Sequence, residues 1–174
     1  LLTLFFIYEK GLAQAPSWVW AHNAIGGSND YSRSIAVDSS GNTFITGDFG
    51  SPTITFGSTT LTNATSFQGY SDFFIAKYDP SGNVLWAKRA GGSWNDLGLS
   101  IVTDPAGNAY ATGFFFSSSI IFDTTTLINA GSSDIFIIKY DPSGNILWAK
   151  SVGGTDTDEG RSISIDANGN LYLT

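Results

Sequence analysis

The stretch "KYDPSGNVLWAK" runs from Lys77 to Lys88 and returns as "KYDPSGNILWAK" from Lys139 to Lys150, with Val84 against Ile146 the sole difference. An almost verbatim echo 62 residues away confines the chain to like units laid side by side, because each unit must fold the same way and meet its neighbour the same way. A second echo has the same period. "SIAVDSSGNTFITG" from Ser34 returns as "SIVTDPAGNAYATG" from Ser100 and as "SISIDANGNLYLT" from Ser162. Asp38, Asp104 and Asp166 are thus 66 and 62 residues apart; a four-residue insertion in "NATSFQGYSD" relative to "NAGSSD" explains the difference. The linkers "ITFGSTTLTNA" and "IIFDTTTLINA" match, and "GGSND", "GGSWND" and "GGTDTD" open successive units.

Within a unit, short stretches rich in Ile, Val, Phe, Tyr and Thr are bounded by Gly and Asp, and none has helical spacing. Four strands are predicted: a near Ser34 to Val37, b over Thr43 to Phe49, c over Asp72 to Tyr78 and d over Val84 to Ala90. Both faces of strand c are apolar. Phe73 and Ile75 oppose Phe74, Ala76 and Tyr78, and Ile135 and Ile137 oppose Phe136, Ile138 and Tyr140. A half-exposed sheet would alternate apolar with polar residues, so these strands are expected to be covered on both sides. Four-stranded blades stacked face to face around an axis supply that cover, whereas an immunoglobulin-like sandwich does not repeat every four strands.

The acidic, Gly-containing centre of the echo first invites a metal reading, since Asp79, Ser81 and Asn83 stand at positions one, three and five. An EF-hand loop needs Gly at six and a bidentate acid at twelve; here Gly82 is at four and Ala90 at twelve. The turn reading fits instead: Asp accepts a hydrogen bond, Pro80 presets φ and Gly82 takes the left-handed position of a type I turn with a bulge. Asp38 with Gly41, Asp104 with Gly107, Asp141 with Gly144 and Asp166 with Gly169 follow the same scheme.

With its "GG", following Asp, "SIAVDSSGNTFITG" and "DFFIAKYDPSGNVLWAK", the chain from Trp18 onward resembles the SBBP-type beta-propeller repeat of exported bacterial proteins. The linker "FGSTTLTNA" is similar to versions in multi-repeat surface proteins of Bacteroidetes-type bacteria, many of which carry a sorting domain for type IX secretion. The resemblance implies an all-β propeller of four-stranded antiparallel blades, incomplete here at about two and a half blades. "WVWAHNAIGG" matches strand d, with Trp20 in the place of Trp86 and Trp148. The expected division is a lone strand d over 16–30, a first blade over 31–92, a second over 93–154 and the start of a third over 155–174. A parent of about seven blades would approach about 430 residues. Closure then needs further blades of the same chain, and this piece alone is expected to expose blade faces and strand edges and to associate.

Several function classes are excluded or narrowed by composition. Fifteen acidic residues against eight basic give no basic face for nucleic acid. The apolar start "LLTLFFIY", followed by small residues, reads as a truncated signal peptide over 1–15, cut after Ala13 or Ala15, and is too short to span a bilayer. This implies a secreted or cell-surface protein, and the lack of any Met points to a piece of a longer one. Without Cys, stability must come from packing and hydrogen bonds.

Site candidates are few. Asp30, Asp96 and Asp158 each stand eight residues before a turn Asp, in the segment joining strand d to the next strand a. Successive blades would set them around one rim, either as ligands for calcium or sugar hydroxyls or as acceptors for backbone N–H groups of their own blades. Asp156 and Glu159 add charge in the last loop. His22, the sole His, corresponds to Lys88 and Lys150 and reads as an exposed strand residue. No nucleophile elbow, His pair or phosphate loop occurs, and Ser34, Ser100 and Ser162 recur in every unit, which argues for architecture. The b-to-c segments, 48–71 and 114–133, are rich in Ser, Thr, Asn and aromatics such as Phe67 and Tyr70. They either offer contact surfaces for glycans or proteins or pack on a blade edge. "NAT" at Asn63 has sequon form. These features favour a non-catalytic interaction or adhesion scaffold, with a polysaccharide-active propeller enzyme and a calcium-stabilised adhesin as alternatives.

Overall fold

The computed structural model describes residues 19–65 and 69–174. The signal peptide expected over 1–15, the first residues of the lone strand d and Phe67 lie outside the described residues. Strand β1 (Ile25–Gly26) comes first. The first repeat holds β2 (Asp30–Val37), β3 (Thr43–Phe49), β4 (Thr53–Phe56), β5 (Thr59–Thr62), β6 (Asp72–Tyr78) and β7 (Val84–Gly91). The second holds β8 (Asp96–Thr103), β9 (Ala109–Phe115), β10 (Ser119–Phe122), β11 (Thr125–Ile128), β12 (Asp134–Tyr140) and β13 (Ile146–Val152). The third begins with β14 (Ile163–Ile165) and β15 (Leu171–Leu173). The described residues contain no helix, and the blades do not close into a ring.

Strands a to d of the first blade are β2, β3, β6 and β7, and those of the second are β8, β9, β12 and β13, each set an antiparallel meander. Strands b and c have the bounds read from the sequence. Strand a starts earlier than expected: Asp30 already pairs with Phe49, and the ladder slips between Ser32 and Ser34. The same slip recurs between Gly98 and Ser100. Each bulge presses a carbonyl onto the next strand. A Cβ at Gly47 would collide with the Tyr31 carbonyl oxygen, and one at Gly113 with that of Leu97, so the Gly closing "ITG" and "ATG" is sterically required.

The b-to-c segments hold strands beyond the four read for each unit, and they pack on a blade edge, one of the two arrangements expected of them. Each folds into a hairpin, β4 with β5 and β10 with β11, and Ile54, Phe56 and Leu61, like Ile120, Phe122 and Leu127, point inward between exposed or half-exposed neighbours. The hairpin does not extend its own blade. β10 pairs with β7, the outer strand of the preceding blade, through Ile121 with Gly91 and Phe122 with Ala90. β4 pairs with β1 in the same way. Each hairpin is therefore a strap onto one end of its predecessor's outer edge, which pairs that edge at Ala90 and Gly91 of β7.

Two apolar clusters hold the stack. Phe44, Phe73, Ile75, Phe115, Phe122, Phe136, Ile138 and Tyr140 fill the space between the first and second blades. Phe49, Ile54, Phe56, Phe74, Ala76 and Tyr78 cover the opposite face of the first blade. Every residue of β6 and β9 is buried, as two apolar faces require. In β12 burial alternates: Phe136, Ile138 and Tyr140 are buried against the first blade, while Ile135 and Ile137 are half-buried on the face toward the third. A buried Phe such as Phe73 contributes about 3–5 kcal/mol over Ala. The blades approach closely at one recurrent point. A Cβ at Gly98 would lie 2.5 Å from Phe73, and one at Gly160 2.7 Å from Ile135, its equivalent one blade on.

Candidate functional site

The meander separates two rims. The a-to-b and c-to-d turns lie at one end of every blade, and the b-to-c straps and d-to-a crossovers lie at the other.

At the turn rim the carboxylates are occupied. Asp79 Oδ1 accepts from the N–H groups of Ser81 and Asn83, each at 2.8 Å, and Oδ2 accepts from Asn83 Nδ2 at 2.8 Å. Asp38, Asp104, Asp141 and Asp166 repeat this arrangement with Asn42, Asn108, Asn145 and Asn170. The hydrogen bonds from the following Asn hold Asp79, Asp141 and Asp166 below the usual carboxylate range. At Asp38 and Asp104 burial works the other way, but the same bonds and the nearby ammonium groups of Lys77 and Lys139 outweigh it and lower both. Gly41, Gly82, Gly107, Gly144 and Gly169 have φ between 80° and 87°, a region open to Gly at little cost.

The c-to-d turn also receives the preceding blade. Trp86 of β7 donates its indole N–H to the Pro142 carbonyl at 3.1 Å, and Lys77 Nζ donates to the same oxygen at 3.0 Å. Trp86 lies beside Tyr140, with ring centroids 5.8 Å apart, just as Trp20 lies on Tyr78 at 5.5 Å. Ser34 and Ser100 belong to the same joint. Ser34 Oγ accepts from the Ile101 N–H at 3.3 Å and Ser100 Oγ from the Ile163 N–H at 3.2 Å, so the recurrent Ser ties each strand a to the next.

At the crossover rim stand Asp30, Asp96 and Asp158. Asp30 and Asp96 open strands β2 and β8 rather than lying in a loop. Asp30 accepts from the Ser51 N–H and hydroxyl at 3.1 and 2.7 Å. Asp96 accepts from the Gly92 N–H at 2.7 Å and the Ser117 N–H and hydroxyl at 3.3 and 2.8 Å. Asp158 accepts from the Gly154 N–H at 2.7 Å. Each is thus engaged within its own segment, and among the described residues no three acidic or His side chains gather in a way that could hold a cation.

Two acids that are not among the sequence candidates, Asp72 and Asp134, open the c strands and are fully or almost fully buried. Asp72 Oδ2 accepts from the Ala64 N–H at 2.6 Å and from Arg89 at 3.2 Å, and Asp134 Oδ2 from the Ala130 N–H at 3.0 Å. The Oδ1 atoms of both have no hydrogen-bond partner. Burial pushes Asp72 up to about 6 and Asp96 up to about 7, the latter raised further by the charge of Asp72. Asp48 is also raised by burial, against the opposing ion pair with Arg33. Their signal in the sequence is the repeated "SD" before each strand c, where an acid precedes a run that is apolar on both faces.

The other candidates have separate surroundings. His22 is exposed as expected but lies in no strand, since β1 begins only at Ile25; it stands beside Trp20 and Tyr78. A cavity of about 360 Å³ near it is lined by groups such as Tyr31, Ile35, Ile45 and Phe74. Asn63 is buried, its Nδ2 donating to the carbonyls of Phe49 and Tyr70 at 3.0 and 3.1 Å, and Asn129 donates likewise to Phe115. The sequon-like Asn is therefore a clamp at the root of a strap. The Asp156 carbonyl accepts from the Ser132 and Ser133 N–H groups, and Glu159 pairs with Arg161. Among the described residues no helix is long and apolar enough to cross a membrane.

Comparison with known proteins agrees with this architecture. The chain is 28% identical over 150 residues to an uncharacterized WD repeat-containing protein of Acanthamoeba polyphaga mimivirus, an alignment covering 80% of this chain and 11% of that protein. It is 30% identical over 114 residues to the regulatory protein FlaEY of Caulobacter vibrioides, covering 64% of this chain and 12% of that one. The chain thus spans little more than a tenth of either relative. Residues 20–48 match the family model described as a beta-propeller repeat, SBBP, and that match, with the all-β antiparallel blades that repeat the same unit, supports the beta-propeller repeat family.

Proposed function

We propose that this chain is part of an exported, non-catalytic scaffold that contacts protein or glycan partners through its crossover rim. The observation that carries the reading is the contrast between the rims. The turn rim repeats one unit, and its carboxylates are taken up by their own turns. The crossover rim holds the positions at which the repeats differ: the insertion before Ser71, the extra Trp94 and Phe116 in the place of Gly50. Recurrence serves stacking, and divergence is where a specific partner can be met. The name of the mimivirus relative is consistent with a repeat scaffold, and export rests on the leader-like start of the sequence.

Photo-crosslinking groups placed at Ser93 on the crossover rim and Ser143 on the turn rim test the contact face in the source organism. Adducts are expected from Ser93 and not from Ser143; equal or reversed yields sink the reading. Fractionation of the same cells tests export, and a wholly cytoplasmic pool would remove that part of it.

A further inference from the structure

Resting on the scaffold reading, we infer that Tyr70, Trp94 and Phe116 form a platform that binds an uncharged glycan across the joint between the first and second blades. Trp94 is 52% exposed and Phe116 37% exposed. The Tyr70 and Trp94 rings lie with centroids 4.9 Å apart and planes tilted by 54°, although Tyr70 belongs to the first repeat's b-to-c segment and Trp94 to the following crossover. The Trp94 N–H donates to Ser117 Oγ at 2.9 Å and the Phe116 N–H to the Asn95 carbonyl at 2.9 Å, so the segments bearing these rings run side by side. Ser71 joins them, its N–H donating to Asn95 Oδ1 at 2.9 Å.

None of these aromatics serves the repeat. The first crossover, "GGSND", has no residue at the position of Trp94, and the third has Asp156 there. Tyr70 stands in the inserted segment, and Gly50 takes the place of Phe116 in the first repeat. Large rings at half-exposed positions that stacking does not demand are candidates for recognition. Tyr and Trp supply rigid, amphipathic contact area at low entropic cost.

The chemistry around the rings selects the ligand. Their neighbours are Ser71, Ser93 and Asn95, and the nearby guanidinium groups of Arg33 and Arg89 are bound to the buried carboxylates Asp48 and Asp72. No unpaired cation among these groups would attract a sulfated or uronic polymer, and the chain carries a net charge of −7. Flat aromatic faces bordered by hydroxyl and amide groups match a neutral pyranose, which has an apolar C–H face and a hydroxyl rim.

Isothermal titration of the chain with cellohexaose, laminarihexaose and mannohexaose, beside a heparin hexasaccharide, tests the assignment. Saturable binding of at least one neutral oligomer is expected, weakened about tenfold or more by Trp94→Ala and by Tyr70→Ala and less by Trp94→Phe. Trp94→Phe, which keeps a ring against Tyr70, should leave the thermal melt nearly unchanged, so its weaker binding reads the contact and not the fold. Binding of heparin alone, of no neutral oligomer, or with equal affinity in Trp94→Ala overturns the assignment. A protein partner lost with Trp94→Ala, without glycan binding, also overturns it but leaves the scaffold reading standing. A partner held away from this rim sinks the scaffold reading itself.

Discussion

The indole of Trp86 lies against the α-carbon of Gly144 in the next blade, so close that a Cβ built on Gly144 would stand 2.9 Å from the ring. Trp20 and Gly82 repeat the relationship one blade earlier, at 2.8 Å. The recurrent shape of "DPSGN" within this chain therefore answers two demands: a left-handed turn residue, and a flat seat for the Trp of the preceding blade.

These two demands separate by substitution. Gly107 has φ of 80° and a Cβ added there would meet nothing closer than 3.6 Å, whereas Gly144 has φ of 84° and the indole beside it. Gly107→Ala is expected to cost about 1 kcal/mol from backbone strain, and Gly144→Ala to cost more, about 2 kcal/mol, because the indole must also move. Urea denaturation of the two variants measures the difference; equal costs would remove the second demand.

Trp86 itself contributes by area and by one hydrogen bond. Trp86→Phe should lose the bond to the Pro142 carbonyl, about 1 kcal/mol, and Trp86→Ala should lose the packing as well, about 2–3 kcal/mol for a half-buried ring. Leu85, more than half exposed on the same strand, serves as the control, and Leu85→Ala should stay within about 0.5 kcal/mol.

Ser34 tests the inner seam. Ser34→Ala leaves the Ile101 N–H without its acceptor and should cost about 1–2 kcal/mol, while Ser34→Thr keeps the hydroxyl and should cost less. Hydrogen exchange at the Ile101 amide, accelerated in Ser34→Ala alone, is the direct readout.

Stability should peak in mildly acidic solution. Asp72 and Asp96 have folded values raised by burial to about 6 and about 7, above the ordinary value near 3.8. Their contribution is fully present below about pH 4 and is lost as pH rises through about 6 and then about 7. The turn Asp residues are lowered, so their contribution is present above the ordinary value and lost as pH falls below it. The melting temperature is expected to be highest near about pH 4 and to fall from there to about pH 7. Asp72→Asn, which cannot titrate, should flatten the fall from about pH 4 to about pH 6; an unaltered slope would show that Asp72 does not titrate there.

Asn63 should resist modification and substitution alike. Its amide holds the Phe49 and Tyr70 carbonyls, so Asn63→Ala is expected to cost about 2 kcal/mol. Expression in a glycosylating host should leave the folded chain's mass at Asn63 unchanged, as peptide mapping would check.

Much of the fold was legible because it is written locally and repeated. The period appears twice in near-identical words, the turns carry their own Asp, Gly and Asn, and the two apolar faces of "DFFIAKYD" require cover on both sides. The straps were less legible, since "ITFGSTTLTNA" alternates well enough for a hairpin but says nothing about which edge receives it. The candidate rim was legible only in part. Asp30 and Asp96 could be counted around a rim, but whether they faced one another or their own Ser51 and Ser117 depended on where strand a begins.

The sequence by itself determined the unit, its four strands and its turn chemistry, because each rests on neighbours within about ten residues and on a side-chain period of two. The tertiary structure alone decided what the blades do to one another. It set β10 on β7, Trp86 on Gly144, Ser34 on Ile101 and Tyr70 beside Trp94. Such contacts join residues that the chain brings together only by stacking one blade on the next, and their partners are chosen by shape and by unsatisfied backbone groups rather than by any local pattern.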